Sequence, residues 1–109
     1  MQEELQALVD RFNSKVKADP GLQEELTGMQ RSVAIELDEG TAFHFYLKDQ
    51  RLTNVEVGRL EKADVRLMSS EKILRGLLSG EVKPMKAWAL KQLRVKASLE
   101  DLARLRKFF

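Results

Sequence analysis

The 109-residue chain has no cysteine, which excludes disulfides, thiol nucleophiles and thiolate metal centres. It has a single histidine, His44, so an imidazole metal site would have no partner of its own kind. Its six glycines (Gly21, Gly28, Gly40, Gly58, Gly76 and Gly80) are scattered and build no phosphate-cradling loop. No apolar run approaches the roughly 18 residues that suggest a membrane span. The opening MQEELQALVDRF carries acids where a secretory signal would carry a basic region and an apolar core. These absences read as a soluble, cytoplasmic protein without metal or cofactor. The sequence has no internal repeat and no low-complexity tract.

What is present is 43% apolar and 33% charged residues, the balance of a globular protein with a heavily charged surface. The length suits a single domain over residues 1–109. The net charge of +2 hides an asymmetry, because residues 82–109 hold eight lysines and arginines against two acids. Such an end can meet anionic headgroups or nucleic acid, or it is simply a solvated face.

Periodicity organises the chain. Leu5, Leu8, Val9, Phe12 and Val16 recur at helical spacing, and Asp19-Pro20 reads as the start of a second, short helix carrying Leu22 and Leu26. Val33, Ile35 and Leu37 then alternate, and a turn at Asp38-Glu39-Gly40 leads to a strand with Phe43, Phe45 and Leu47 on one side. Its other side carries His44 and Tyr46. Thr53, Val55 and Val57 predict a third strand, and Val65 and Leu67 a fourth. The opposite face of this sheet, with Glu36, His44, Asn54 and Arg66, is expected to be largely solvated. Ser69 or Ser70 caps a helix with Ile73, Leu74, Leu77 and Leu78 before Gly80 ends it. Pro84 opens another with Met85 and Trp88, a strand over Leu93, Val95 and Ala97 follows, and Ser98-Leu99-Glu100-Asp101 resembles a capping box for the last helix. The pattern is α+β.

Catalytic motifs are lacking. Ser32, His44 and Asp38 supply the residue types of a nucleophilic triad, but no nucleophile elbow marks any serine. Catalytic residues are therefore none, and His44 reads as a strand histidine. The cations near the C-terminus do not read as a base-binding platform either. Arg94 and Lys96 alternate with core residues, and Trp88, Phe108 and Phe109 fall at or beside apolar positions. The last third is instead rich in large apolar side chains. Leu99, Leu102, Ala103, Leu105 and Phe109 form a broad helical stripe beside Leu77, Leu78, Met85 and Trp88. That inventory suits a pocket for an apolar ligand, or ordinary core packing, with a dimer contact a further use for Phe108 and Phe109.

Within residues 63–97, several anchors coincide. They are Ala63-Asp64-Val65-Arg66-Leu67, Leu77-Leu78-Ser79-Gly80, and Pro84 followed by Ala87-Trp88. In this the chain resembles the sterol carrier protein type 2 lipid-binding family, and the resemblance extends to the order of elements along most of the chain. Two family glycines are replaced, at Lys91 and Ala97. The peroxisomal tripeptide of some members does not match the terminal Arg106-Lys107-Phe108-Phe109.

The resemblance implies a five-stranded, mainly antiparallel sheet with helices covering one face and a hydrophobic tunnel between them. It implies a non-enzymatic carrier, without cofactor, for a fatty acid, fatty acyl-CoA, sterol-like lipid or phospholipid. The expected lipid-binding residues are Phe43, Phe45, Leu67, Leu77, Leu78, Met85, Trp88, Leu102, Leu105 and Phe109. Lys86, Lys91 and Arg106 are expected at the headgroup. A monomer or weak homodimer with transient membrane-surface contact and no nucleic-acid partner fits this reading. The rivals are an accessory or protein-interaction domain with a filled cavity, and a basic nucleic-acid-binding module.

Overall fold

The structure, a computed structural model, describes residues 1–106. Helix α1 (Gln2–Ala18) buries Leu5, Val9 and Val16, the inner part of the stripe read from its periodicity. Helix α2 (Pro20–Glu25) starts where Asp19 Oδ1 accepts the Leu22 amide at 3.1 Å, satisfying one of the free donors of the first turn.

Strands β1 (Arg31–Leu37) and β2 (Ala42–Lys48) pair antiparallel, with Val33 opposite Phe45 and Ile35 opposite Phe43. Asp49 and Gln50, both at positive φ, make a two-residue turn of the mirror-image kind whose twist suits a hairpin. It leads into β3 (Arg51–Leu52), and β4 (Glu56–Val57) returns to β2. The single strand expected over 53–57 is therefore broken in two. At the break, polar side chains of α1 take backbone groups at the end of β3 and between the pieces. Asn13 pairs with both the amide and the carbonyl of Leu52, at 2.8 and 2.9 Å, and Gln6 Oε1 accepts the Val55 amide at 2.8 Å. Val55 is drawn into the core while Val57 stays 64% exposed, so the expected alternation does not hold there.

Residues 58–64 then pass over the polar sheet face to β5 (Val65–Ser69), which runs parallel to β1 with Val65 opposite Val33. The Arg66 guanidinium donates to the carbonyls of Leu60 and Glu61 at 3.0 and 3.2 Å, and His44 Nδ1 bonds the Gly58 carbonyl at 2.9 Å. Asp64 accepts the Ser32 amide at 2.8 Å. This strap corrects the expectation of a largely solvated face: Ala34 beneath it is 1% exposed, and Arg66 and Glu36 pair there half-buried.

Helix α3 (Glu71–Ser79) is capped by Ser70, whose Oγ accepts the Ile73 amide at 3.1 Å, and ends at Gly80 with φ 86°. Helix α4 (Pro84–Ala89), strand β6 (Arg94–Lys96, antiparallel to β5) and helix α5 (Leu99–Arg106) complete the described chain. The sheet order is β3-β2-β1-β5-β6, with β4 also on β2, so the α+β sheet is mainly antiparallel as expected, with one parallel pairing, β1 with β5, and six strands where five were expected. The core forms two clusters on the helix-facing side. One joins Leu5, Val9, Ile35, Leu37, Phe43, Phe45, Val55 and Leu74, and the other Val16, Leu22, Leu26 and Leu47. Each such burial is worth roughly 1.5–3 kcal/mol.

Candidate functional site

The two clusters do not close completely against each other. Between them lies a cavity of about 250 Å³ whose lining is almost entirely carbon. Its floor is the sheet: Val33 of β1, Phe45 and Leu47 of β2, Leu52 of β3, and Val65 and Leu67 of β5. Leu8 and Phe12 of α1 form one wall, and Leu26 and Met29 close one end. The α1 stripe thus has two tasks. Leu5, Val9 and Val16 are buried in the core, while Leu8 and Phe12, a step around the helix, border the cavity.

The remaining wall is α5, through Asp101, Arg104 and Leu105. Ser98 caps this helix, its Oγ accepting the Asp101 amide at 3.1 Å. The capping-box reading is half fulfilled, because the Asp101 carboxylate is taken elsewhere. Its Oδ2 accepts from Arg31 Nε at 2.9 Å and its Oδ1 from Arg104 Nη1 at 3.1 Å. Asp101 is 6% exposed and is the buried residue of α5. Burial pushes its carboxyl up, but the Arg31 hydrogen bond and the two guanidinium charges outweigh that and hold it below its ordinary value. The hydrogen bond to Asp101 raises Arg31 in turn.

Among the residues expected to bind lipid, Phe45, Leu67 and Leu105 meet at this cavity. Phe43 is packed in the larger core cluster, with Leu77 and Leu78 partly buried against it. Met85 and Trp88 line a separate open groove of about 240 Å³ with Ala89 and Arg106. Leu102 is half-buried on α5 without lining the cavity, and Phe109 lies outside the described residues. Lys86, Lys91 and Arg106 are exposed and away from the cavity, whose rim cations are Arg31 and Arg104. Leu8, Phe12 and Leu26 were missed because their periodicity marks them equally well as core, and Met29, beyond Gly28, belongs to no periodic segment. Arg31 was missed because nothing in the order of residues couples it to Asp101, seventy positions away. Among the described residues, no cluster of histidine and acidic residues is placed to hold a metal ion, and no helix is long and apolar enough to cross a membrane.

Comparison with known proteins decides the family. The model of the SCP-2 sterol transfer family matches residues 9–109. The chain belongs to that family. Lipid binding or transfer is therefore its function at the level of the family, on a carrier fold that is generally non-enzymatic. No curated protein matches the chain by sequence. Solved structures share the SCP-2 fold at low identity. Sterol carrier protein 2 is 16% identical with a TM-score of 0.64, over 90% of this chain and 84% of that one. Palmitated SCP2L2 from Aedes aegypti is 17% identical with a TM-score of 0.61, over 92% and 88%. The inverting sec-alkylsulfatase Pisa1 from Pseudomonas is 15% identical with a TM-score of 0.63 over 91% of this chain, which spans only 15% of that enzyme's length.

Proposed function

We propose that the chain is a single-domain lipid carrier that shields an aliphatic tail in the cavity between α1, α5 and the sheet. The observation that carries this reading is an apolar space of about 250 Å³ with an almost wholly carbon lining. It approaches the roughly 300 Å³ at which ligand sites begin and has room for on the order of eight water-sized groups. Withdrawing each methylene from water contributes about 0.8 kcal/mol, so a medium-length tail gains several kcal/mol towards the entropy of association. Phe45, Leu67 and Leu105 contact the tail directly in this reading, together with Leu8, Phe12 and Met29. Phe43, Leu77 and Leu78 support the walls from behind. Met85, Trp88 and Leu102 serve a longer ligand that extends along α5. Movement of α5, which forms one side of the cavity, would widen the way in for a longer tail. A palmitated relative on the same fold agrees with a fatty acyl ligand.

The rivals are less well supported. A filled accessory domain would leave a few tens of cubic ångströms. A nucleic-acid binder would need free cations on one surface, yet Arg94 pairs with Asp38 and Arg104 with Glu100 and Asp101. Native mass spectrometry of freshly purified protein, followed by titration with decanoate, tests the proposal. Co-purified lipid or saturable one-to-one binding is expected. An unliganded mass together with no heat of binding would refute the carrier reading.

A further inference from the structure

A helix docks on a domain by burying apolar residues, and α5 departs from that rule. Its buried residue is a carboxylate, Asp101, while Leu99 in the same turn is 85% exposed. Asp101 is the buried ionisable side chain among the described residues, and it sits between two guanidiniums at the edge of an otherwise aliphatic cavity. Arg31 and Arg104 each hold a second anchor independent of it. Arg31 Nη1 donates to the Gln30 carbonyl at 2.8 Å, and Arg104 Nη2 to Glu100 Oε1 at 2.6 Å. Both guanidiniums would therefore keep their places if Asp101 swung away.

We propose that Arg31 and Arg104 are the anion-binding pair for the head of a single-chain amphiphile, a fatty carboxylate, and that Asp101 occupies the position this head takes on binding. The proposal rests on the carrier reading above and deepens it by naming the residues that read the ligand's charge and the side chain that holds their place without it. A fatty carboxylate brings both parts the site lacks once Asp101 leaves, an anion for the two guanidiniums and a tail for the carbon-lined space. The exchange replaces one carboxylate by another, so no charge is left buried and unpaired. The bound head then bridges Arg31 of β1 and Arg104 of α5 in place of Asp101. An uncharged amphiphile of the same length has no means of displacing Asp101.

The test compares decanoate with decanol by calorimetry on the full chain, with acetate as the same anion without a tail. Wild type is expected to prefer decanoate. Asp101→Asn removes the competing charge and should tighten decanoate about tenfold while leaving decanol within about twofold. Arg31→Gln should weaken decanoate about tenfold, to the level of decanol. Arg104→Gln, which leaves the Arg31–Asp101 pair in place, should move the ratio in the same direction as Arg31→Gln and serves if that variant does not fold. A decanoate-to-decanol ratio that is equal in wild type and all variants overturns this proposal while leaving the carrier reading intact. Acetate binding as tightly as decanoate would mean a free-anion site and also overturns it. Failure of both decanoate and decanol to bind wild type overturns the carrier reading and this proposal together.

Discussion

Protonation of Asp101 would break the Arg31–Asp101–Arg104 bridge at the mouth of the cavity. Its carboxyl titrates below the ordinary 3.8 in the folded chain, so the folded state binds fewer protons than the unfolded one in that range. The stabilisation is complete above 3.8 and is lost as pH falls through the lower folded value. Trp88 shares a groove with Arg106 at the far end of α5 and so reports on that helix. Its emission is expected to shift on acidification below this value in wild type, and Asp101→Asn should abolish that transition. On the opposite sheet face, Glu36 accepts from Arg66 and forms an ion pair with Arg59. Arg66→Leu removes the less exposed partner and unties the strap from the carbonyls of Leu60 and Glu61. A loss of about 1–3 kcal/mol in urea unfolding is expected, partly recovered by the double change with Glu36→Leu.

Backbone conformation decides the outcome for two of the helices. Lys91 follows α4 at φ 61°, a left-handed position where the family resemblance leads one to expect glycine. In this conformation the lysine carries the cost of its Cβ. Lys91→Gly is expected to raise stability by several tenths to about 1 kcal/mol, read as a higher denaturation midpoint at unchanged slope. Gly76, in α3, presents the reverse case. A Cβ there would lie 2.4 Å from Val82 Cγ2 and 3.2 Å from Val82 Cβ, and a β-branched side chain has little freedom to retreat. Gly76→Ala should therefore cost about 1–3 kcal/mol despite its better helix propensity, and Val82→Ala in the same chain should restore most of it. Neither constraint is visible from helix patterning, since one depends on a single dihedral and the other on a residue beyond the helix end.

For the molecule as a whole, the decisive quantity is the volume left between two core clusters. Val33 lines the cavity from the middle of β1. Val33→Phe should fill part of it, weakening decanoate by at least tenfold while the circular dichroism spectrum and the unfolding midpoint stay close to wild type. A core that was already solid at this point would instead lose stability from the added ring.

The α+β class, the caps at Asp19, Ser70 and Ser98, the stop at Gly80 and the inward faces of β1 and β2 were all legible in the order of residues. These features depend on neighbours within a few positions, so local periodicity and capping chemistry suffice to read them. The break between β3 and β4, the strap over the polar face and the parallel pairing of β1 with β5 were not legible. They arise from partners distant in the chain, as when Asn13 captures the Leu52 backbone or Arg66 the carbonyls before it. The candidate site belongs to the same group. Sequence alone established a supply of apolar side chains and a surplus of cations. Only the tertiary structure decided which of them face a cavity and which are packed solid, because a void is the part of a packing problem that no single segment specifies.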